Sequence, residues 1–327
     1  MGVEDYGRGR VLPHEKTYKG PKQDQLHLLR ACRAHLTPIH GLFNDRENAV
    51  MTEYRRFMKR PPDQEAVDSN GTRHRTWTFE DEGAIERIKN LLRGKSVFIA
   101  DGHHRYETSL AYRNEMRESD TADNEAGHEY VVMYLTSTSH PGLTILPAHR
   151  MVKCLDEDVV SNLLDKLRPY FELEEISCPT DDMSEAARVL TDVVSPFSYT
   201  PGNFGMLFHR RKGIKLLRLK SLEGVDPLID PSIPPDLRHL DVTILREVVM
   251  DYGLNLGRSD AEGHIEYTPS PAEALEKVKS GEIQVCFILN PTRVEQVQAA
   301  AELGHKLPHK ATYFYPKVAS GLVMNVF

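Results

Sequence analysis

An α+β fold of mixed α/β character is predicted by three features of this 327-residue chain. Helical and strand patterns alternate along nearly its whole length. A short, almost wholly apolar run, SVFIA at 96–100, lies between two helical segments, as a strand buried on both faces does. Two further runs, NFGMLFHR and IKLLRL, flank Arg211, Lys212 and Gly213 and read as an antiparallel hairpin.

The elements follow in order. Residues 1–20 are polar, and DQLHLLRACRAHL then places Leu26, Leu29, Cys32 and Leu36 near helical spacing until Pro38 stops it. IHGLF reads as a short strand, and 59–75, with Pro-Pro and Asn-Gly, as a breaker-rich link. Ile85, Ile88, Leu91 and Leu92 form one helix face ending at Gly94. After SVFIA comes a mostly polar helix, ETSLAYRNEMRE, with Tyr106 and Leu110 on its buried side. EYVVMYLT, GLTIL and HRMV read as strands, closing a module over 76–152. Beyond it, helices over 159–167 and in DDMSEAARVLTDVV precede the hairpin. VTILREVVMDYG reads as a helix ending at Gly253, VCFIL as a strand, RVEQVQAAAEL as a helix and SGLVMNVF as a closing strand. The expected division is an N-terminal segment 1–58, a central module 76–152 and a C-terminal α+β region 153–327.

Composition narrows the function. With 40% hydrophobic and 27% charged residues the chain can bury a core, and a net charge of −7 gives no basic field for nucleic acid. Cys32, Cys154, Cys178 and Cys286 contain no C-x-x-C pair, which argues against a zinc ribbon or a disulfide framework and fits a reducing, cytoplasmic compartment. No apolar run has the length of a membrane span. A small molecule is the expected partner.

The densest chemistry is VFIADGHHRYETS at 97–109. A strand ends at Ala100, Gly102 permits a sharp turn, and a helix begins near His104. The N–H groups of a helix start, with the dipole behind them, attract anions. Arg105 adds a fork suited to phosphate oxygens, His103 and His104 add donors, and Asp101 can hold a Mg²⁺ that bridges phosphates. This describes a polyphosphate site better than a bare metal site. Zinc would need a third ligand, for which His128, His140 and His149 are available. The H-E-x-x-H, H-x-E with P-C-x-x-C, and G-x-S-x-G motifs are all absent.

Three other stretches compete. VLPHEKT offers His14, Glu15 and Lys16; a solvated loop is the alternative. LPHKATYFYPKVASG holds Lys310, Thr312 and Lys317 among Tyr313, Phe314 and Tyr315, where lysines and a threonine suit phosphate or carboxylate and a core strand is the alternative. PAHRMV places His149 and Arg150 at a strand end, a second candidate anion contact.

FIADGHHRYETSLAYR, LTPIHGLF, LPHEKT, LTILPAHRMV and HKATYFYPKVASGLVMN resemble, in order, the proteins of domain of unknown function 1015. Members of that family usually carry a longer N-terminal region, so this chain reads as a short version or a fragment. It departs from the family pattern at Gln25 and Ala311, where Arg and Ser are expected. The D-G-H-H-R turn also resembles the ParB/sulfiredoxin-like superfamily, in which such a turn binds nucleotide phosphates. That superfamily includes kinases of free serine, CTP-hydrolysing ParB proteins and ATP-using sulfiredoxin. The resemblance implies a ParB/sulfiredoxin-like central module, with Asp101, Gly102, His103, His104 and Arg105 holding phosphates and Mg²⁺.

The function expected is a nucleotide-dependent phosphotransferase acting on a small metabolite, with free serine as a candidate acceptor and ATP or ADP with Mg²⁺ as cofactors. Asp101 would position the metal, and His103 or His104 would stabilise the transferred group. Glu107 or Glu15 would take the acceptor proton. Gly102, Arg105, Arg150, Lys310, Thr312 and Lys317 would bind phosphate or nucleotide. The alternatives are a metal-dependent phosphohydrolase using a metal-bound water and a nucleotide-responsive binding module without turnover.

Overall fold

The computed structural model describes residues 1–69, 71–119, 126–177, 182–197, 200–210, 213–257 and 263–327. Helices and strands are mixed throughout, in an α+β arrangement with several sheets. Contacts divide the chain into two compact units, one of Met1–Pro13, Thr17–Thr144 and Pro316–Phe327, the other of His14–Lys16 and Ile145–Tyr315. Among the described residues no helix is long and apolar enough to cross a membrane.

The first unit is built on a mixed four-stranded sheet in the order Val11–Leu12, Val97–Asp101, Ile39–Phe43, Met133–Ser137. Val97–Asp101 pairs parallel with Val11–Leu12 and antiparallel with Ile39–Phe43, which in turn pairs parallel with Met133–Ser137. Interior position explains why Val97, Phe98, Ile99 and Ala100 are all buried: neither face nor edge of this strand meets water. Segment 1–58 therefore contributes two strands to the sheet that carries the motif.

Helix His103–Ser119 follows the motif strand and packs beside helix Lys19–Cys32. Its buried face is aromatic and polar rather than aliphatic: Tyr106, Ser109, Tyr112 and Arg113 recur at helical spacing. Each polar member meets a partner. Tyr106 Oη donates to the Glu4 carbonyl at 2.8 Å and accepts from the Glu4 N–H at 3.1 Å, while its ring stacks on Tyr6 with centroids 5.3 Å apart. Arg113 donates to the Val3 carbonyl, and Ser109 Oγ donates to the Arg105 carbonyl at 2.8 Å. Val3, Val11, Ile39, Ile99 and Val131 close the apolar core around Tyr106; the predicted Leu110 lies partly buried at its margin.

The second unit holds a six-stranded sheet in the order Phe171–Ile176, Ile214–Leu219, Asn203–Phe208, Val285–Ile288, His149–Val152, Ile265–Thr268. Every pairing in it is antiparallel. The strand His149–Val152, at the end of the expected central module, thus belongs to this sheet. Helices Met183–Val194 and Pro271–Ser280 cover it, with Leu190, Leu275 and Val278 against Leu216, Cys286 and Ile288. Gly205 lets the first of these helices close on the sheet, since a Cβ there would collide with Leu190.

Four expectations changed. The helix expected to run to Pro38 ends at Cys32, where Arg33 takes φ +46° and Ala34–His35 becomes a strand paired with Asn325–Val326. The supposed link at 59–75 contains an exposed hairpin, Gln64–Val67 against Arg73–Thr76, tied across strands by Arg75 and Glu65. The strand expected at 129–136 begins later, at Met133, because Gly127–Glu129 forms a single 3₁₀ turn. The helix ending at Gly253 is present, but Leu245–Gly253 is wound as a π-helix. Cys32, Cys154 and Cys286 are free thiols; Cys178, Arg211 and Lys212 lie outside the described residues.

Candidate phosphate-binding site

The motif strand delivers Asp101, Gly102 turns the chain, and the helix starts at His103. Gly102 has φ +98°, a conformation that suits glycine. Its missing side chain has a second use. A Cβ there would come within 2.8 Å of the Arg105 Nε and Nη2, so the guanidinium lies over the turn. The Gly102 carbonyl accepts from the Tyr106 N–H at 2.9 Å, which opens the helix. The 17 residues of the helix align their peptide dipoles so that its positive end lies at this turn.

Asp101 is shared between two cations. Its Oδ2 accepts from Arg105 Nη2 at 2.6 Å, and its Oδ1 lies 2.5 Å from Lys317 Nζ. Burial pushes the Asp101 carboxyl up, but Lys317, Arg105 and His40 outweigh it and hold it below its ordinary value. Burial lowers the Arg105 guanidinium, with Asp101 opposing. Lys317 is the most exposed of the three side chains.

His40 is a member that sequence reasoning missed. It sits opposite Asp101 across the antiparallel pair, where the register shifts between His40 and Gly41. It is buried, bonded through Nε2 to Thr136 Oγ1 at 3.1 Å and packed 5.1 Å from the Tyr134 ring. Burial and Lys317 push its pKa down to about 4 against the pull of Asp101, so it is neutral at pH 7. A lone histidine in an apolar strand carries no signal without the register that sets it beside Asp101.

Two expected catalytic groups anchor the segment before helix Lys19–Cys32. His104 Nε2 accepts the Tyr18 N–H at 3.0 Å, and the two rings stack 6.3 Å apart. Glu107 Oε2 accepts from Thr17 Oγ1 at 2.6 Å and from Lys22 Nζ at 2.9 Å. His103 is buried at the first turn. Gln25, on the same helix as Lys22, is half-buried.

Asp101, Gly102, His103, His104, Arg105, Glu107 and Lys317 all belong to the first unit. Glu15, Arg150, Lys310 and Thr312 belong to the second. There, Thr312 Oγ1 lies 3.3 Å from His14 Nε2, and Arg150 donates to the Lys310 carbonyl at 3.3 Å. Lys310 has φ +57°. Ala311 is buried, and its carbonyl accepts from Thr292 Oγ1 at 2.7 Å. Among the described residues no three His, Cys, Asp or Glu side chains converge as a metal cluster, so the ligand set imagined for zinc from His128, His140 or His149 is not assembled.

A family model described as protein of unknown function (DUF1015) matches residues 1–243. No curated protein matches the sequence. Among solved structures, the chain is similar to a free serine kinase in complex with AMP, at 14% identity and TM-score 0.43 over 95% of this chain and 88% of that one. It is also similar to a conserved hypothetical protein from Pyrococcus furiosus, at 12% identity and TM-score 0.42 over 95% and 90%. A third similarity is to C-terminally truncated SbnI from Staphylococcus aureus, at 9% identity and TM-score 0.43 over 97% and 85%.

Proposed function

We propose, from the premise that the chain belongs to the DUF1015 family, that it is a nucleotide-dependent phosphotransferase acting on the hydroxyl of a small metabolite. One observation carries this reading: a helix start, a guanidinium and an ammonium converge on one turn, held there by a single carboxylate. Phosphoryl transfer asks the protein mainly for positioning and charge stabilisation. Arg105 and the N–H groups of 103–105 hold the nucleotide's phosphate oxygens, and Lys317 meets the charge on the transferred group.

Asp101 suits Mg²⁺ as the one protein carboxylate of a site completed by phosphates and water. Both its oxygens hold cations, so Asp101 would hold the metal in exchange for Lys317, its more exposed partner, which would then meet phosphate. The metal would supply neutralisation of phosphate charge. In the transfer, the acceptor oxygen forms a bond to phosphorus as the bond from phosphorus to the bridging oxygen of the leaving nucleotide breaks. The acceptor proton passes to a carboxylate, and Glu107 offers Oε1 for it while Oε2 stays anchored by Thr17 and Lys22. Free serine is the acceptor to try first, with ATP and ADP as donors.

³¹P NMR of the protein with Mg²⁺, ATP or ADP, and a pool of hydroxyl-bearing amino acids and hydroxy acids tests this. A new phosphomonoester signal, absent with Arg105→Gln, is the expected result. Inorganic phosphate alone would replace transfer by hydrolysis, and nucleotide binding without any product would leave a binding module. An unchanged spectrum with no nucleotide binding by calorimetry would overturn the reading.

A further inference from the structure

An irregularity in the motif strand decides which way Asp101 faces. Val97, Phe98 and Ile99 pair one to one with Phe43, Leu42 and Gly41, but His40 pairs with Asp101, so Ala100 is an extra residue in the ladder. Ile99 packs with Ile39 and Met133 in the core around Tyr106, on the side of helix His103–Ser119. Side chains alternate between the two faces of a strand, and in a regular one Asp101 would follow Ile99 to the helix side. The extra residue re-aims it, as bulges beside functional sites do. Asp101 stands opposite His40 instead, and the residue before His40, Ile39, is the one that faces the helix.

The next strand continues the row. His40 pairs with Tyr134, just as Ile39 pairs with Met133. Asp101, His40 and Tyr134 therefore stand side by side on three adjacent strands, on the sheet face away from the helix. All three belong to the first unit. The Tyr134 ring lies tilted against buried His40, with centroids 5.1 Å apart. It is nonetheless 47% exposed, on the strand that ends the sheet. A lone exposed tyrosine is ordinary. One that ends a row beginning in a phosphate-binding turn is placed for a ligand. Neighbouring strands lie about 4.8 Å apart, so Tyr134 is rooted about 10 Å from Asp101. The sugar of a nucleotide bridges a gap of that order between its phosphates and its base.

We propose that Tyr134 is the platform on which the base of the nucleotide stacks, and that the site favours a purine nucleotide over a pyrimidine one. Any base has a π-face to lay on an aromatic ring, and the fused rings of a purine offer the larger one. This inference rests on the reading of Asp101, Gly102 and Arg105 as a phosphate site.

Calorimetry of the full chain in Mg²⁺ with ADP, UDP and pyrophosphate tests it. Tyr134→Leu keeps a cover over His40 but removes the aromatic face. It should weaken ADP binding by about tenfold and leave pyrophosphate binding unchanged. Tyr134→Phe should bind ADP as the natural chain does. ADP should bind more tightly than UDP, and the difference should shrink in Tyr134→Leu. Should Tyr134→Leu fold poorly, Tyr134→Trp gives an optical reading against a background of one other tryptophan, Trp77. ADP should quench the new indole's fluorescence and pyrophosphate should not. Failure of both ADP and pyrophosphate to bind the natural chain would overturn the phosphate site and this inference with it. An unchanged ADP affinity in Tyr134→Leu, an equal loss for pyrophosphate, or no quenching by bound ADP in Tyr134→Trp would overturn the stacking role and leave the phosphate site standing.

Discussion

At the residue scale the site turns on Asp101. A carboxylate between Arg105 and Lys317 keeps two cations in place before any phosphate arrives, which lowers the ordering cost of binding. Lys317→Met should therefore weaken nucleotide binding by about tenfold, one charge-assisted hydrogen bond's worth. It should also let the Asp101 carboxyl titrate higher, a change that ¹³C NMR of the side chain reads directly. Sequence alone exposes part of this. Asp101, Gly102 and Arg105 stand together in one turn and can be assigned by local geometry. Lys317 lies 216 residues from its partner, so nothing in TYFYPK tells which carboxylate it meets. His40 gives no local sign at all. His104 and Glu107 are legible as polar side chains on the first helical turns, but their ties to Tyr18, Thr17 and Lys22 depend on packing between helices.

At the element scale the decisive piece is the strand–glycine–helix turn. Gly102→Ala would place a methyl group against the Arg105 guanidinium and force a β-carbon into a positive-φ conformation. Destabilisation of about 1–3 kcal/mol in denaturant unfolding is expected. Because Arg105 must also move, nucleotide binding by calorimetry should fall more than stability alone explains. The alternation of helices and strands was readable because DDMSEAARVLTDVV shows helical periodicity and SVFIA is a short apolar run set between helical segments. The hairpin at Gln64–Val67 and Arg73–Thr76 was not, since its strands are polar and exposed and have no apolar alternation to display. Nor could the π-winding of Leu245–Gly253 be foreseen. One-residue differences in helix hydrogen bonding leave the apolar pattern almost unchanged.

At the scale of the whole molecule, buried histidines set the response to acid. Burial lowers His35 and His40 to about 4 and His149 to about 3, from an ordinary 6.5. Between those values the unfolded chain binds protons that the folded chain refuses, so stability falls as pH drops. Asp101, held low, works in the same direction at the acid end. Asp241, raised by burial to about 6 despite the Gly202 N–H and Arg293, works against them. Three histidines outweigh one carboxyl, and the melting temperature should decline steadily from about pH 7 to about pH 4.5. His40→Gln should flatten that slope; an unchanged profile would show that His40 titrates normally. The division into units was the least legible level, because the first unit is made of three stretches separated by the second in sequence. That discontinuity bears on biosynthesis. Val97–Asp101 and the helix after it leave the ribosome early, but Lys317 emerges only after the whole of Ile145–Tyr315 has been made. Domains tend to fold as they are synthesised, N-terminal parts first. The nascent chain thus carries Asp101 and Arg105 without their third member until Ile145–Tyr315 has been made.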